Sequence, residues 1–494
     1  MPVRTPAAPR RGFRPPPRPT PRGAPRAARL EKDTLGTVEV PAWALWGAQT
    51  ARAVENFPIS GLVEPAALVD AVARVKLAAA RVNAGLGLLP RRKARAIERA
   101  AREVLAGRHR EQFVVDVYQA GAGTSFHMNV NEVLANRAAE ILGGRRGDRS
   151  VDPNDDVNMA QSTNDVIPTA MRLAALELAP PVLEALEGLA ATFERKAARW
   201  QGIVKAGRTH LMDATPVRLG QEVSGWAVAV RAAAGRVADA LPELAALGIG
   251  GTAVGTGVNA DPRYRPAVVR ELARLTGLPL VAAPNPFYAM QSLAPFVALS
   301  GALRGAAVEL LRIGGDIRLL ASGPSTGLAE LRLPTVQPGS SIMPGKVNPS
   351  MAEMLAMVSY QVAGLDQAVA AAAAGGQLEL NVMMPLVAFD VLHQLAILAS
   401  GVRAFDRRLA RGLEADAARA RHYAERTVSL ATALAPRIGY AAAAEIVKES
   451  VRTGRAVADL AVERAGLTPA EARRVLDVAR LTRPGRARAR GRRA

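Results

Sequence analysis

Five long stretches constrain this chain more than anything else in its 494 residues. Residues 164–200, 217–246, 286–321, 350–373 and 383–412 are rich in Ala and Leu, with apolar groups at helical spacing. Several exceed the usual length of a helix in a globular protein. Many are apolar on more than one face, so each must be covered by other helices. One chain is not expected to cover them all, and a multi-helix bundle completed by further copies is the economical solution. Hydrophobic residues reach 49% while aromatics stay at 4%, so the core is built from Ala, Leu and Val. That composition favours helix over sheet. The expected fold class is all-α.

Shorter helices are expected at 66–80 and 93–106, with another after Asn129 that closes at Gly143-Gly144. Residues 417–480 read as short helices broken at Gly439 and Gly454. The expected organisation is a basic tail at 1–30, an N-terminal domain at 31–161 and a central helical bundle at 162–416. A small helical domain at 417–482 and a second basic tail at 483–494 complete it. The two tails carry +14 of the formal net charge of +20. The first is too proline-rich to be helical and too polar to pack, and reads as disordered. No recognition motif accompanies this charge, so no specific nucleic-acid partner is expected. The absence of cysteine excludes disulfides, thiolate zinc sites and cysteine nucleophiles. It suits a reducing compartment, and a cytoplasmic location is expected. Charged residues punctuate every long helix, so a soluble chain without a membrane partner is expected.

Against this helical background one run stands apart. Residues 339–349 read Gly-Ser-Ser-Ile-Met-Pro-Gly-Lys-Val-Asn-Pro. Glycine loosens the backbone there and proline removes donors, so the run is neither a regular helix nor a strand. It places two hydroxyls (Ser340, Ser341), a cation (Lys346) and an amide (Asn348) on one loop. An ammonium with an amide two residues on suits a carboxylate ligand.

Four more polar clusters interrupt the helices. Gly121-Ala122-Gly123-Thr124-Ser125 precedes a helix; its glycines let backbone N–H groups approach an anion, and Thr124 adds a hydroxyl. A plain helix entry is the equal alternative. Gln161-Ser162-Thr163-Asn164-Asp165 opens another helix. One residue suffices for a cap, and the surplus suggests an oxyanion cradle aided by the helix dipole. His210, flanked by Thr209 and Asp213, stands in a break between long helices. No two histidines have metal spacing, so no metal is expected. Residues 250–259, Gly-Gly-Thr-Ala-Val-Gly-Thr-Gly-Val-Asn, read as a flexible helix connection.

The 339–349 run resembles the signature of the aspartase/fumarase superfamily, and the clusters at 121–125, 162–165 and 207–210 are similar to its three other active-site regions. The resemblance spans roughly residues 31–485. It implies a mostly helical, three-domain homotetramer whose active sites each draw on three subunits. It implies reversible anti-elimination from a succinyl-type dicarboxylate, releasing fumarate, with no organic cofactor. The hard step is removing a proton from carbon beside a carboxylate, which needs donors aimed at the resulting dianion. By resemblance Thr124, Ser162, Thr163 and Ser341 serve the β-carboxylate and Ser340 is the general base. Lys346 and Asn348 hold the α-carboxylate. Thr209, His210 and Asn164 contact the leaving group.

Within the family, Gln337 and the Ser162-Thr163-Asn164 triplet resemble the aspartate ammonia-lyase branch, as do residues 118–124 and 376–385. Gly345 and Asp155-Asp156 are shared with or favour class II fumarases. Met212 stands where aspartases often carry glutamine, and Phe126-His127 replaces a pattern that often carries asparagine. The expected activity is loss of ammonia from L-aspartate. The alternatives are class II fumarate hydration and a catalytically silent member of the fold.

Overall fold

The computed structural model describes residues 27–485. Among the described residues 61% are helical, and the strands form four two-stranded sheets. The all-α expectation therefore holds, with small β elements at turning points. The expected helices occur at Ala66–Gly85, Arg91–Leu105 and Thr124–Ile141. The long ones are Thr163–Arg199, Leu219–Asp239, Ala294–Leu320, Ser350–Ala373 and Met384–Phe405.

Two expected boundaries shift. The stretch at 286–321 is two helices, Pro286–Gln291 and Ala294–Leu320. The one expected over 217–246 ends at Asp239 and passes through a short turn into a parallel strand pair, Ala246–Leu247 with Val281–Ala282. The break taken as irregular around His210 is an antiparallel hairpin, Val204–Thr209 with Met212–Arg218. A second hairpin, Ala28–Asp33 with Gly36–Pro41, opens the described chain. Arg29 is thus structural rather than part of a disordered tail. Its guanidinium donates to the carbonyls of Pro41, Ala44 and Trp46. The remaining basic segments at 1–26 and 486–494 lie outside the described residues.

The long helices differ in how completely they are covered. In Thr163–Arg199 the consecutive residues Leu173, Ala174 and Ala175 are all buried, so no single apolar stripe faces one neighbour. Pro180 and Pro181 remove two donors mid-helix, yet the helix continues, with Ala179, Val182, Leu186 and Leu189 buried on either side of them. Three helices are long and apolar enough to cross a membrane by length and composition, contrary to the expectation from sequence. The reason is that the punctuating charges are sparse: an 18-residue window of each helix holds no more than two. In Thr163–Arg199 that window is 72% buried; in Ala294–Leu320 it is only 44% buried.

The chain divides into two compact units. One runs to Pro181 and takes in Arg236–Arg304 and Gln361–Ile397. The other comprises Val182–Gly235, Gly305–Tyr360 and the chain from Leu398. Within the second, Leu430, Leu434, Ile446, Leu460 and Val475 form an apolar cluster among the short C-terminal helices.

Candidate functional site

The first unit carries Thr124, Ser162, Thr163 and Asn164. The glycine turn ahead of Thr124–Ile141 is packed, not loose. The Ala122 N–H donates to the Val382 carbonyl at 2.8 Å, and a Cβ added at Gly121 would lie 2.8 Å from the Val382 Cβ. Gly123 has φ +85°, and a Cβ there would lie 3.4 Å from Ile167. The turn is thereby fitted against the first turns of Thr163–Arg199, bringing two of the expected site regions together. Thr124 is exposed at the head of its helix.

At the N-terminus of Thr163–Arg199 the polar surplus resolves into separate tasks. Ser162 is the cap: its Oγ accepts from the Asn164 N–H at 3.2 Å. The Asp165 carboxylate accepts from the Ser162 N–H at 2.9 Å and, with its other oxygen, from the Gly250 and Thr252 N–H groups, each at 2.9 Å. The 250–259 segment is therefore no flexible connection. Asp165 ties it down, and its glycines are fitted against neighbours: a Cβ at Gly251 would run into Met290, and one at Gly255 (φ +106°) into Phe287. The Asn164 amide donates to the Ala253 carbonyl at 2.7 Å, which leaves its oxygen free to meet a ligand.

Thr163 has a different partner. Its Oγ1 lies 2.7 Å from His127 Nδ1, and His127 Nε2 lies 2.6 Å from Lys76 Nζ. Lys76 also donates to Asn158 Oδ1 at 2.8 Å. Lys76 and His127 are fully buried. Burial, together with the Lys76 ammonium, holds His127 well below its ordinary pKa. Burial also lowers Lys76, with the Asp165 carboxylate opposing. Asp165 itself is pushed up to about 6 by burial, against the N–H donors and Lys76. Lys76 was missed in the sequence reading. The signal was a lysine one helical turn from both Val72 and Ala80, on an apolar face.

The second unit carries Thr209, His210, Ser340, Ser341, Lys346 and Asn348. His210 and Leu211 form the hairpin turn, both with positive φ (57° and 61°), and His210 is exposed at the tip. The hairpin base is fixed by charge: Arg208 pairs with the buried Glu330 at 2.7 Å, and Lys205 with Glu222 at 2.8 Å. The Ser429 hydroxyl donates to the Asp213 carbonyl at 2.9 Å and steadies the tip.

The 339–349 loop is irregular, as its composition dictates, and is closed by its own backbone. The Gly339 N–H donates to the Lys346 carbonyl at 2.8 Å, and the Asn348 amide to the Gly339 carbonyl at 2.6 Å. A Cβ at Gly339 would collide with the Lys346 carbonyl and lie 2.8 Å from the Asn348 N, so only glycine permits this approach. Inside the loop, Ser340 Oγ accepts from the Ile342 and Met343 N–H groups at 3.2 and 2.8 Å. Ser341 and Lys346 are exposed, as is Ile342 at 84%. Asn348, expected on a substrate carboxylate, gives one amide hydrogen to the loop itself.

Comparison with known proteins supplies the family. A family described as Lyase matches residues 36–364, and one described as Fumarase C C-terminus matches residues 430–483. A fumarate hydratase class II of Ralstonia nicotianae is 50% identical over 436 residues, covering 88% of this chain and 95% of its own. One from Myxococcus xanthus is 49% identical over 443 residues, covering 89% and 95%. The crystal structure of a recombinant class II fumarase from Schistosoma mansoni superposes with a TM-score of 0.89 at 36% identity, covering 92% of this chain and 99% of that one. The chain belongs to the aspartase/fumarase superfamily, among the class II fumarases.

This overturns the expected aspartate ammonia-lyase, since the relatives that cover nearly the whole chain are named fumarate hydratases. Two of the markers that pointed the other way are Gln337 and Thr163. Gln337 is exposed, two residues ahead of the loop. Thr163 in place of serine adds a methyl group but presents the same hydroxyl, already engaged by His127.

Proposed function

We propose that this chain catalyses the reversible addition of water to fumarate, giving L-malate. The observation that carries the chemistry is the hydroxyl of Ser340, which receives two backbone N–H groups within a loop closed on itself. Hydrogen bonds donated to an oxygen favour its charged form. Ser340 can thus act as an alkoxide that takes the proton from the malate carbon beside the β-carboxylate. The electron pair moves into that carboxylate, giving an aci-carboxylate dianion, and then expels the neighbouring carbon's hydroxyl, which takes a proton from His210 and leaves as water. Thr124, Ser162, Thr163 and Ser341 donate to the dianion; Lys346 and Asn348 hold the α-carboxylate. Thr209, His210 and the Asn164 oxygen meet the leaving hydroxyl. Removing one donor of this kind from an enzyme that stabilises an oxyanion lowers turnover about 10²–10³-fold.

A homotetramer with sites shared between copies is part of this reading. Its support is the apolar surface left on the long helices: Val228 is 68% exposed, Val308 53% and Met357 65%. Side chains of that kind at regular helical positions call for cover by another helix.

The test is the ultraviolet absorbance of fumarate, followed with the purified protein and either L-malate or L-aspartate. Fumarate released from malate alone is the expected result. Release from aspartate alone contradicts it, and release from neither favours a silent member of the family.

A further inference from the structure

The row of Lys76, His127 and Thr163 has a direction, and that direction decides what the Thr163 hydroxyl can offer a ligand. A neutral imidazole donates from one nitrogen and accepts at the other. If His127 Nε2 accepts from Lys76, Nδ1 must carry the hydrogen and donate to Thr163 Oγ1. The threonine oxygen is then the acceptor, and its own hydrogen is free to point outward. In the reverse order Thr163 donates inward to Nδ1 and offers a ligand nothing but lone pairs. An anionic carboxylate needs the first arrangement.

The surroundings of Lys76 and Thr163 select it. An ammonium has donors and no acceptor, and the two nearest neighbours of Lys76 Nζ, His127 Nε2 at 2.6 Å and Asn158 Oδ1 at 2.8 Å, can both accept. Asn158 is committed to that role because its Nδ2 donates to the Gln161 carbonyl at 3.3 Å. The contact between Lys76 and His127, at 2.6 Å, is a short hydrogen bond. Burial lowers the pKa of Lys76, and the Asp165 carboxylate opposes that shift in favour of the charged lysine. Thr163 itself is only half-buried, so its outward hydrogen can reach a ligand.

We infer that His127 is a positioning residue, held by Lys76 in the tautomer that turns the Thr163 hydroxyl outward as a donor to the substrate carboxylate. This rests on the malate reading only for the identity of the substrate. The orientation is prepaid by burial, because an imidazole enclosed between two fixed partners cannot reorient when the ligand arrives. Phe126, the preceding residue of the same helix, is buried as well.

A double-mutant cycle on the full-length protein tests the inference. Thr163→Val is expected to lower kcat/KM for malate about a hundredfold and His127→Leu about tenfold. The double variant should be no worse than Thr163→Val, since His127 acts only through that hydroxyl. A thousandfold loss in the double variant, or a leucine variant within threefold of the wild type, overturns the proposal. His127→Asn keeps an amide oxygen for Lys76 and an N–H for Thr163, so it should stay within about threefold of the wild type. A tenfold loss in that variant with an unchanged thermal midpoint also overturns it, and this arm stands even if the leucine variant does not fold. If the wild type turns over aspartate instead of malate, the proposed function fails while the cycle, run on aspartate, still decides the relay. If it turns over neither, the same cycle is read on succinate affinity by calorimetry.

Discussion

The start of the helix Thr163–Arg199 and the loop at 339–349 do similar work by opposite means. At the helix start three polar side chains are tied to groups distant in sequence: Thr163 to His127, Asn164 to Ala253, Asp165 to Gly250 and Thr252. The loop is closed by bonds among its own residues; its Ser341 and Lys346 stand exposed, and its Ser340 and Asn348 are half-buried. The helix start is rigid because it belongs to a core. The loop is shaped by a glycine that lets its two legs meet, and little else would hold it. Damage to the first should therefore be felt in stability, and damage to the second in turnover.

The sharpest test of that division is Ser340→Ala. We expect turnover to fall at least about a thousandfold while the thermal midpoint stays within about 2 °C, because only a serine oxygen on a half-exposed loop is removed. Substantial residual activity would take Ser340 out of the base role. At the helix start, Asp165→Asn turns an amide hydrogen toward backbone donors. It should destabilise the fold by about 2–3 kcal/mol at pH 7.

The pH dependence of that loss has a definite sign. The folded Asp165 carboxyl is pushed up to about 6, above its ordinary value of 3.8. The folded state therefore takes up the proton first, and stability from this group rises as pH falls through 6 toward 4. The wild type should gain on Asp165→Asn over that window, measured as the difference between their thermal midpoints. A gap that stays constant would mean the carboxyl titrates at its ordinary value. The smallest effect belongs to Gly339→Ala, which forces the two legs of the loop apart. We expect kcat to drop about tenfold, with little change in unfolding. Loss of folded protein in that variant would show that the loop supports the core after all.

The sequence made the loop plain because its meaning is local: glycine and proline at 339, 344, 345 and 349 dictate irregular backbone around Ser340 and Lys346. It also placed the long helices, whose periodicity is a property of consecutive residues. The relay behind Thr163 was hidden because its members are 36 and 51 residues apart in sequence. A lysine on an apolar face was the one trace it left. The 250–259 segment was misread for the same reason. Glycines read as freedom in one dimension, whereas here they are the only residues that fit beside Met290 and Phe287. Gln337 misdirected the choice of substrate because a marker that correlates with a branch need not touch the chemistry.

The proposed function has the two regions meet across copies, with the Thr163 hydroxyl of one chain serving the Ser340 loop of another. Mixing Ser340→Ala and Thr163→Val chains, after dissociation and reassembly in equal amounts, measures this directly. If the two groups come from different copies, about one site in four receives both intact residues, so the mixture should recover up to about a quarter of wild-type activity with malate. If it stays at the level of the separate variants while reassembled wild type regains full activity, both groups belong to one chain and the account is contradicted.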